Sequence, residues 1–155
     1  MYNLNSQNIG ELPKQMEILL DKNFDIISNL SNASAIIKGF APTLNWAGFY
    51  IMKNGELILG PFQGKPACLK IAVGKGVCGT AVKENKPLYV PNVHEFKGHI
   101  ACDSESNSEM VIPLHYPNGE TFGVLDLDCP FVNGFTTEMQ AAFTECASII
   151  EKAIL

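Results

Sequence analysis

The change of hydrophobic period along the chain limits its fold more than any other feature. Residues 45–52 (NWAGFYIM), 56–62 (ELILGPF), 68–73 (CLKIAV), 88–93 (LYVPNV), 109–116 (EMVIPLHY) and 120–128 (ETFGVLDLD) read as strands of period two. Asn54-Gly55 and Asn118-Gly119 each fall between two such runs, the dipeptide that most favours a tight hairpin. On either side the period lengthens to that of a helix. Leu12, Met16, Leu19, Leu20, Ile27 and Leu30 recur at three- and four-residue steps, continued by Ile36, Ile37 and Phe40. Asn23, Ser31 and Asn32 predict breaks, hence two helices within 11–40. Met139, Ala142, Phe143, Cys146, Ile149, Ile150 and Ala153 form the stripe of a last helix, with Thr137 and Gln140 spaced as a capping box. Residues 76–86 predict a short helix opened by glycines, and 94–109 a long polar loop of the kind that is often functional. The expected architecture is a hairpin-dominated sheet with helices at both ends, in one domain spanning 1–155.

Charge narrows the partners. The chain has 16 acidic residues against 11 basic ones, and all of the basic ones are lysine. Without arginine there is no bidentate fork for phosphate or guanine, and the lysines form no stripe, so nucleic acid is not an expected partner. No apolar run is long enough to span a bilayer, and MYNLNSQNIGELPKQ lacks the features of a signal peptide, so no membrane partner and a cytoplasmic location are expected.

Five cysteines, at 68, 78, 102, 129 and 146, are an odd number and do not suggest a structural disulfide framework. Cys102 sits in the polar loop beside His99 and Asp103, either as an incidental surface thiol or as a reactive one. Cys78 lies near a predicted helix start, where the dipole would favour a thiolate, and Cys68 begins a predicted strand; each can equally be a small buried residue. Cys146 fits an apolar helix face, and Cys129 carries no functional signal. In FGVLDLD, alternation puts Phe122, Val124, Asp126 and Asp128 on one face and Leu125 and Leu127 on the other. The two acids are either solvated or the wall of an anionic pocket, in which a carboxyl could retain its proton. Trp46 and Tyr50 share a face with Gly48, as core or as the wall of a binding site. His94, His99 and Cys102 are close in sequence, but no metal-ligand spacing, phosphate loop or nucleophile elbow is present, and no metal is expected.

NWAGFY, GPFQGKPACLKIAVGKGVCGTA, VPNVHEF, ACDSESNSEMVIPL and FGVLDLD together resemble the free methionine-(R)-sulfoxide reductases, which are GAF-domain enzymes. Cys68, Cys78 and Cys102 stand at intervals of 10 and 24, as in that family. The resemblance implies a GAF-like α+β fold: a central, mostly antiparallel sheet of about six strands with the N- and C-terminal helices packed on one face. It also implies reduction of free L-methionine-(R)-sulfoxide, with Cys102 as the attacking thiol that becomes a sulfenic acid. Cys68 would resolve that acid as a disulfide, and Cys78 could take part in the exchange; their ranking stays open. Glu109, Asp126 and Asp128 would hold the substrate between aromatic walls from Trp46 and Tyr50. With no arginine, the substrate carboxylate is expected to meet backbone N–H groups of the 94–103 loop. Thioredoxin would supply the electrons, so no bound cofactor is expected, and pairing through the terminal helices suggests a possible homodimer. The competing expectation is a stand-alone GAF module that senses a ligand, metal or redox state without chemistry.

Overall fold

Hairpins decide the order of the sheet. The computed structural model describes residues 8–155; residues 1–7, part of the stretch read as lacking a signal peptide, lie outside the described residues. Six strands run β3-β2-β1-β6-β5-β4, with every neighbouring pair antiparallel. They are β1 (Trp46–Lys53), β2 (Glu56–Gln63), β3 (Lys70–Ala72), β4 (Leu88–Val90), β5 (Ser108–His115) and β6 (Thr121–Cys129). Asn54 and Gly55, with φ of 52° and 80°, close the β1–β2 hairpin as a two-residue turn. At the other Asn-Gly pair only Gly119 has positive φ, 89°, and the turn is wider, with Gly119 N–H bonded to the Tyr116 carbonyl. Two strands are shorter than their sequence predicts. β3 starts at Lys70, which leaves Cys68 in the preceding loop, and β4 stops before Pro91, which has no N–H for a ladder.

Three helices, α1 (Leu12–Leu19), α2 (Ile26–Phe40) and α4 (Thr137–Ile154), bury their stripes against one face of the sheet. Leu12, Met16, Leu30, Ile37, Phe143 and Ile150 meet Ala47, Phe49, Leu114, Leu125 and Leu127 there. The expected break between α1 and α2 occurs around Asn23 and is fastened by Asn29, whose side chain accepts from Asp21 N–H and donates to the Asp21 carbonyl. No break occurs at Ser31 or Asn32; the Ser31 hydroxyl bonds back to the Ile27 carbonyl and the helix continues. The cap of α4 is Thr136, not Thr137: its hydroxyl accepts from Met139 N–H, while the Gln140 side chain donates to the Phe135 carbonyl. No helix among the described residues is long and apolar enough to cross a membrane.

The opposite face is covered by α3 (Gly76–Glu84) and by the loop that joins β4 to β5. Its core is smaller and includes Trp46, Tyr50, Ile71, Val77, Cys78, Ala81, Val111 and Val124. Gly79 is required at the contact between α3 and β3, because a Cβ there would stand 2.3 Å from the Ala72 carbonyl oxygen. One residue departs from simple alternation. Phe122 packs with the helix-side core and not beside Val124. Between the Leu114–Gly123 and His115–Thr121 pairs, β6 advances two residues for one on β5, so Phe122 is the extra residue of a bulge and turns to the other face.

Candidate active site

Register brings the site residues together. On β1, β6 and β5, Trp46 pairs with Asp128, Gly48 with Asp126, Glu109 with Asp128 and Val111 with Asp126. Since alternate residues share a face, Trp46, Tyr50, Glu109, Asp126 and Asp128 all point to the side covered by α3. The covering elements turn that side into a pocket lined also by Cys78, His99, Ile100, Cys102, Asp103 and Ser106. The solvated alternative for the two aspartates is therefore overturned: Glu109, Asp126 and Asp128 are 7%, 5% and 9% exposed.

The aromatic residues are both core and scaffold. Trp46 stacks on Tyr50 at 5.9 Å and on Phe62 at 5.1 Å between ring centres. The Trp46 indole N–H donates to the Lys65 carbonyl, and the Tyr50 hydroxyl to the Cys68 carbonyl at 2.9 Å. Both bonds hold the loop between β2 and β3 against the pocket. Cys68, on that loop, is joined to Cys102, on the loop between β4 and β5, by a disulfide. Cys78 remains a free, buried thiol. Of the two partners left open by the sequence, this state pairs Cys68 with Cys102. Cys129 and Cys146 are buried free thiols that lie in the helix-side core.

Burial governs the electrostatics. No lysine lines the pocket among the described residues, so three buried carboxyls crowd together, with Asp103 beside them, and no lysine offsets them. Desolvation, followed by repulsion from Asp128, raises the Glu109 carboxyl from 4.5 to about 8. Desolvation and repulsion from Glu109 raise Asp126, and desolvation and repulsion from Asp126 raise Asp128. At neutral pH Glu109 thus holds its proton, as suits a general acid. The Cys78 thiol is also pushed well up, by desolvation first and by Asp126 next. The helix dipole expected to favour a thiolate there is outweighed. Burial lowers His99, so its imidazole, 3.7 Å from a Glu109 oxygen, is neutral beside a neutral acid and the contact is no ion pair.

Sequence reasoning missed the residues that anchor the cysteine-bearing loop. Asn45 donates from its side-chain amide to Asp103 Oδ2 and Ser106 Oγ, each at 3.0 Å, and so ties that loop to the start of β1. Phe62, the second ring on Trp46, belongs to no catalytic motif; its two-residue step from Gly60 on an alternating strand is the one signal for it. The loop amides of His94, Glu95, Phe96, His99 and Cys102 are already bonded within the loop or to Asn92. These five amides are therefore not free for a substrate carboxylate.

The comparisons with known proteins agree with this geometry. The GAF domain family matches residues 17–154. Protein YtsP of Bacillus subtilis is 46% identical over 92% of this chain and 88% of its own length. The free methionine-R-sulfoxide reductase of Saccharomyces cerevisiae is 45% identical over 97% of this chain and 88% of its own. An fRMsr of Staphylococcus aureus, solved in complex with substrate, superposes with a TM-score of 0.89 at 43% identity, covering 99% of this chain and 100% of that one. Fold, pocket and these relatives lead to one assignment: the chain belongs to the GAF-domain family of free methionine-R-sulfoxide reductases.

Proposed function

We propose that the protein reduces free L-methionine-(R)-sulfoxide to methionine through Cys102. The Cys68–Cys102 disulfide at the rim of an acid-lined pocket is the observation that carries this reading. In the reduced enzyme the Cys102 sulfur attacks the sulfoxide sulfur, aided by proton donation to the sulfoxide oxygen from a buried carboxyl. The substrate sulfur gains two electrons and leaves as the thioether of methionine, and Cys102 retains the oxygen as a sulfenic acid. The Cys68 thiol then attacks the Cys102 sulfur, forming the disulfide and releasing the oxygen as water. Glu109, Asp126 and Asp128 receive the substrate ammonium group, whose arrival favours ionisation of a carboxyl, and Trp46 and Tyr50 wall its S-methyl end. Its carboxylate is held by backbone N–H groups of the 94–103 loop and the first turn of α3, where Gly76 and Val77 line the pocket.

The chain acts as one catalytic domain in the cytoplasm, and a dithiol protein of the thioredoxin class returns the disulfide to thiols, so no bound cofactor is required. Loop positions for both cysteines support this, because each is partly exposed. Neither nucleic acid nor membrane enters the scheme. A homodimer through the terminal helices is supported by the exposed Ile18, Phe24 and Ile27 around the α1–α2 turn. Phe24→Asp should then shift the sedimenting species from dimer to monomer; a wild-type monomer would dispose of the dimer.

The decisive assay follows NADPH consumption with thioredoxin and thioredoxin reductase, offering the R and S epimers of free methionine sulfoxide separately. Turnover with the R epimer alone is expected. No turnover with either epimer, from folded and reduced protein, would replace this reading with that of a ligand-binding GAF sensor.

A further inference from the structure

Three potential ligands converge inside the pocket from three different elements: Cys78 on α3, Glu109 on β5 and Asp126 on β6. The Cys78 sulfur and one oxygen from each carboxyl lie within 4.8 Å of one another. The Cys78 Sγ to Glu109 Oε1 distance is 3.9 Å. A tetrahedral zinc ion bound by thiolate and carboxylate separates sulfur from oxygen by about 3.6 Å, close to the spacing of this pair. A second observation points to a ligand. Asp126, 5% exposed, has a buried Oδ1 with no hydrogen-bond partner, and such an atom costs free energy until something binds it. The cavity measures about 30 Å³ in this disulfide-bonded state. That is room for roughly two waters, and a cation with a bound water fits.

We infer that Cys78, Glu109 and Asp126 form a binding site for one thiophilic divalent cation of the zinc type, with water in the fourth position. A soft sulfur among hard oxygens selects against magnesium and calcium, which require six or more oxygen ligands or bound waters. Binding exchanges the Cys78 S–H proton, and any proton on the carboxyls, for the metal and releases them to solvent. The Cys68–Cys102 bond leaves Cys78 free to ligate in this state. Metal binding stands apart from the reductase reading; one consequence rests on that reading, namely that zinc and the sulfoxide compete for Glu109 and Asp126 in the reduced enzyme.

The test uses the full chain in its oxidised, disulfide-bonded form, stripped with chelator and titrated with Zn²⁺ by calorimetry. One equivalent should bind, and Cys78→Ser and Asp126→Asn should each weaken binding at least tenfold. Because either variant can perturb folding, Co²⁺ is added to the wild-type protein as well, where a thiolate-to-cobalt charge-transfer band is expected. No zinc bound by the wild type, undiminished binding by folded Cys78→Ser, or a cobalt spectrum without that band would each overturn the inference. Turnover is not the readout, so failure here leaves the epimer assay unaffected, and failure there leaves this titration unaffected.

Discussion

Cys102 and Cys68 differ in what their loss should do, although one bond joins them. Cys102→Ser removes the attacking sulfur and should abolish methionine formation altogether. Cys68→Ser should release one equivalent of methionine per chain in a single-turnover assay and then stall with thioredoxin. Full multiple turnover in Cys102→Ser would show that the attacking atom is elsewhere. Glu109 offers a residue-scale test that does not depend on turnover. Its carboxyl titrates near 8 when folded against 4.5 ordinarily. Between those values the folded chain holds a proton that the unfolded chain has lost, so its contribution to stability is full below the window and declines as pH rises through it. Glu109→Gln keeps a neutral group there. Its urea-unfolding free energy should gain on wild type across the window, by on the order of a few kcal/mol, and level off above it. A difference constant with pH would mean that this carboxyl is already ionised in the folded protein.

Strand β1 positions the site, and its glycine lets β2 come close. A Cβ on Gly48 would stand 2.3 Å from Phe62 Cβ and 2.8 Å from the Pro61 carbonyl oxygen. Gly48→Ala must therefore push β2 away or bend β1, at a cost of about 3 kcal/mol. The same change moves the Gly48–Asp126 pair and the Trp46–Phe62 stack. Loss of kcat/KM by roughly a hundredfold is expected, since displacements of about 1 Å carry penalties of that size. If kcat/KM is kept despite the lower stability, the spacing of these strands does not set the pocket.

At the scale of the molecule, the disulfide ties two covering loops across a sequence separation of 34 residues. Closing a loop of that length in the unfolded chain should make the oxidised protein more stable than the reduced one by about 2–4 kcal/mol. Parallel urea titrations with and without reductant measure the difference. A reduced form of equal stability would indicate that reduction relieves an opposing cost, such as crowding of the carboxyls in the closed pocket.

The sequence by itself determined the elements, the two hairpins at Asn-Gly, the shared face of Trp46 and Tyr50 and that of Asp126 and Asp128. Period and turn chemistry are local properties, written within a few residues of where they act. Resemblance added the cysteine roles, which no local pattern could rank. Tertiary structure decided the rest. Alternation states which side chains share a face and says nothing of whether that face is covered; α3 and the 91–107 loop cover it here, and burial then raises the acids above the ordinary carboxylate range. Phe122 left its predicted face because a bulge depends on the partner strand. The Cys78–Glu109–Asp126 cluster was not visible in any motif, since its members lie on three elements and meet only through strand register and the seating of α3.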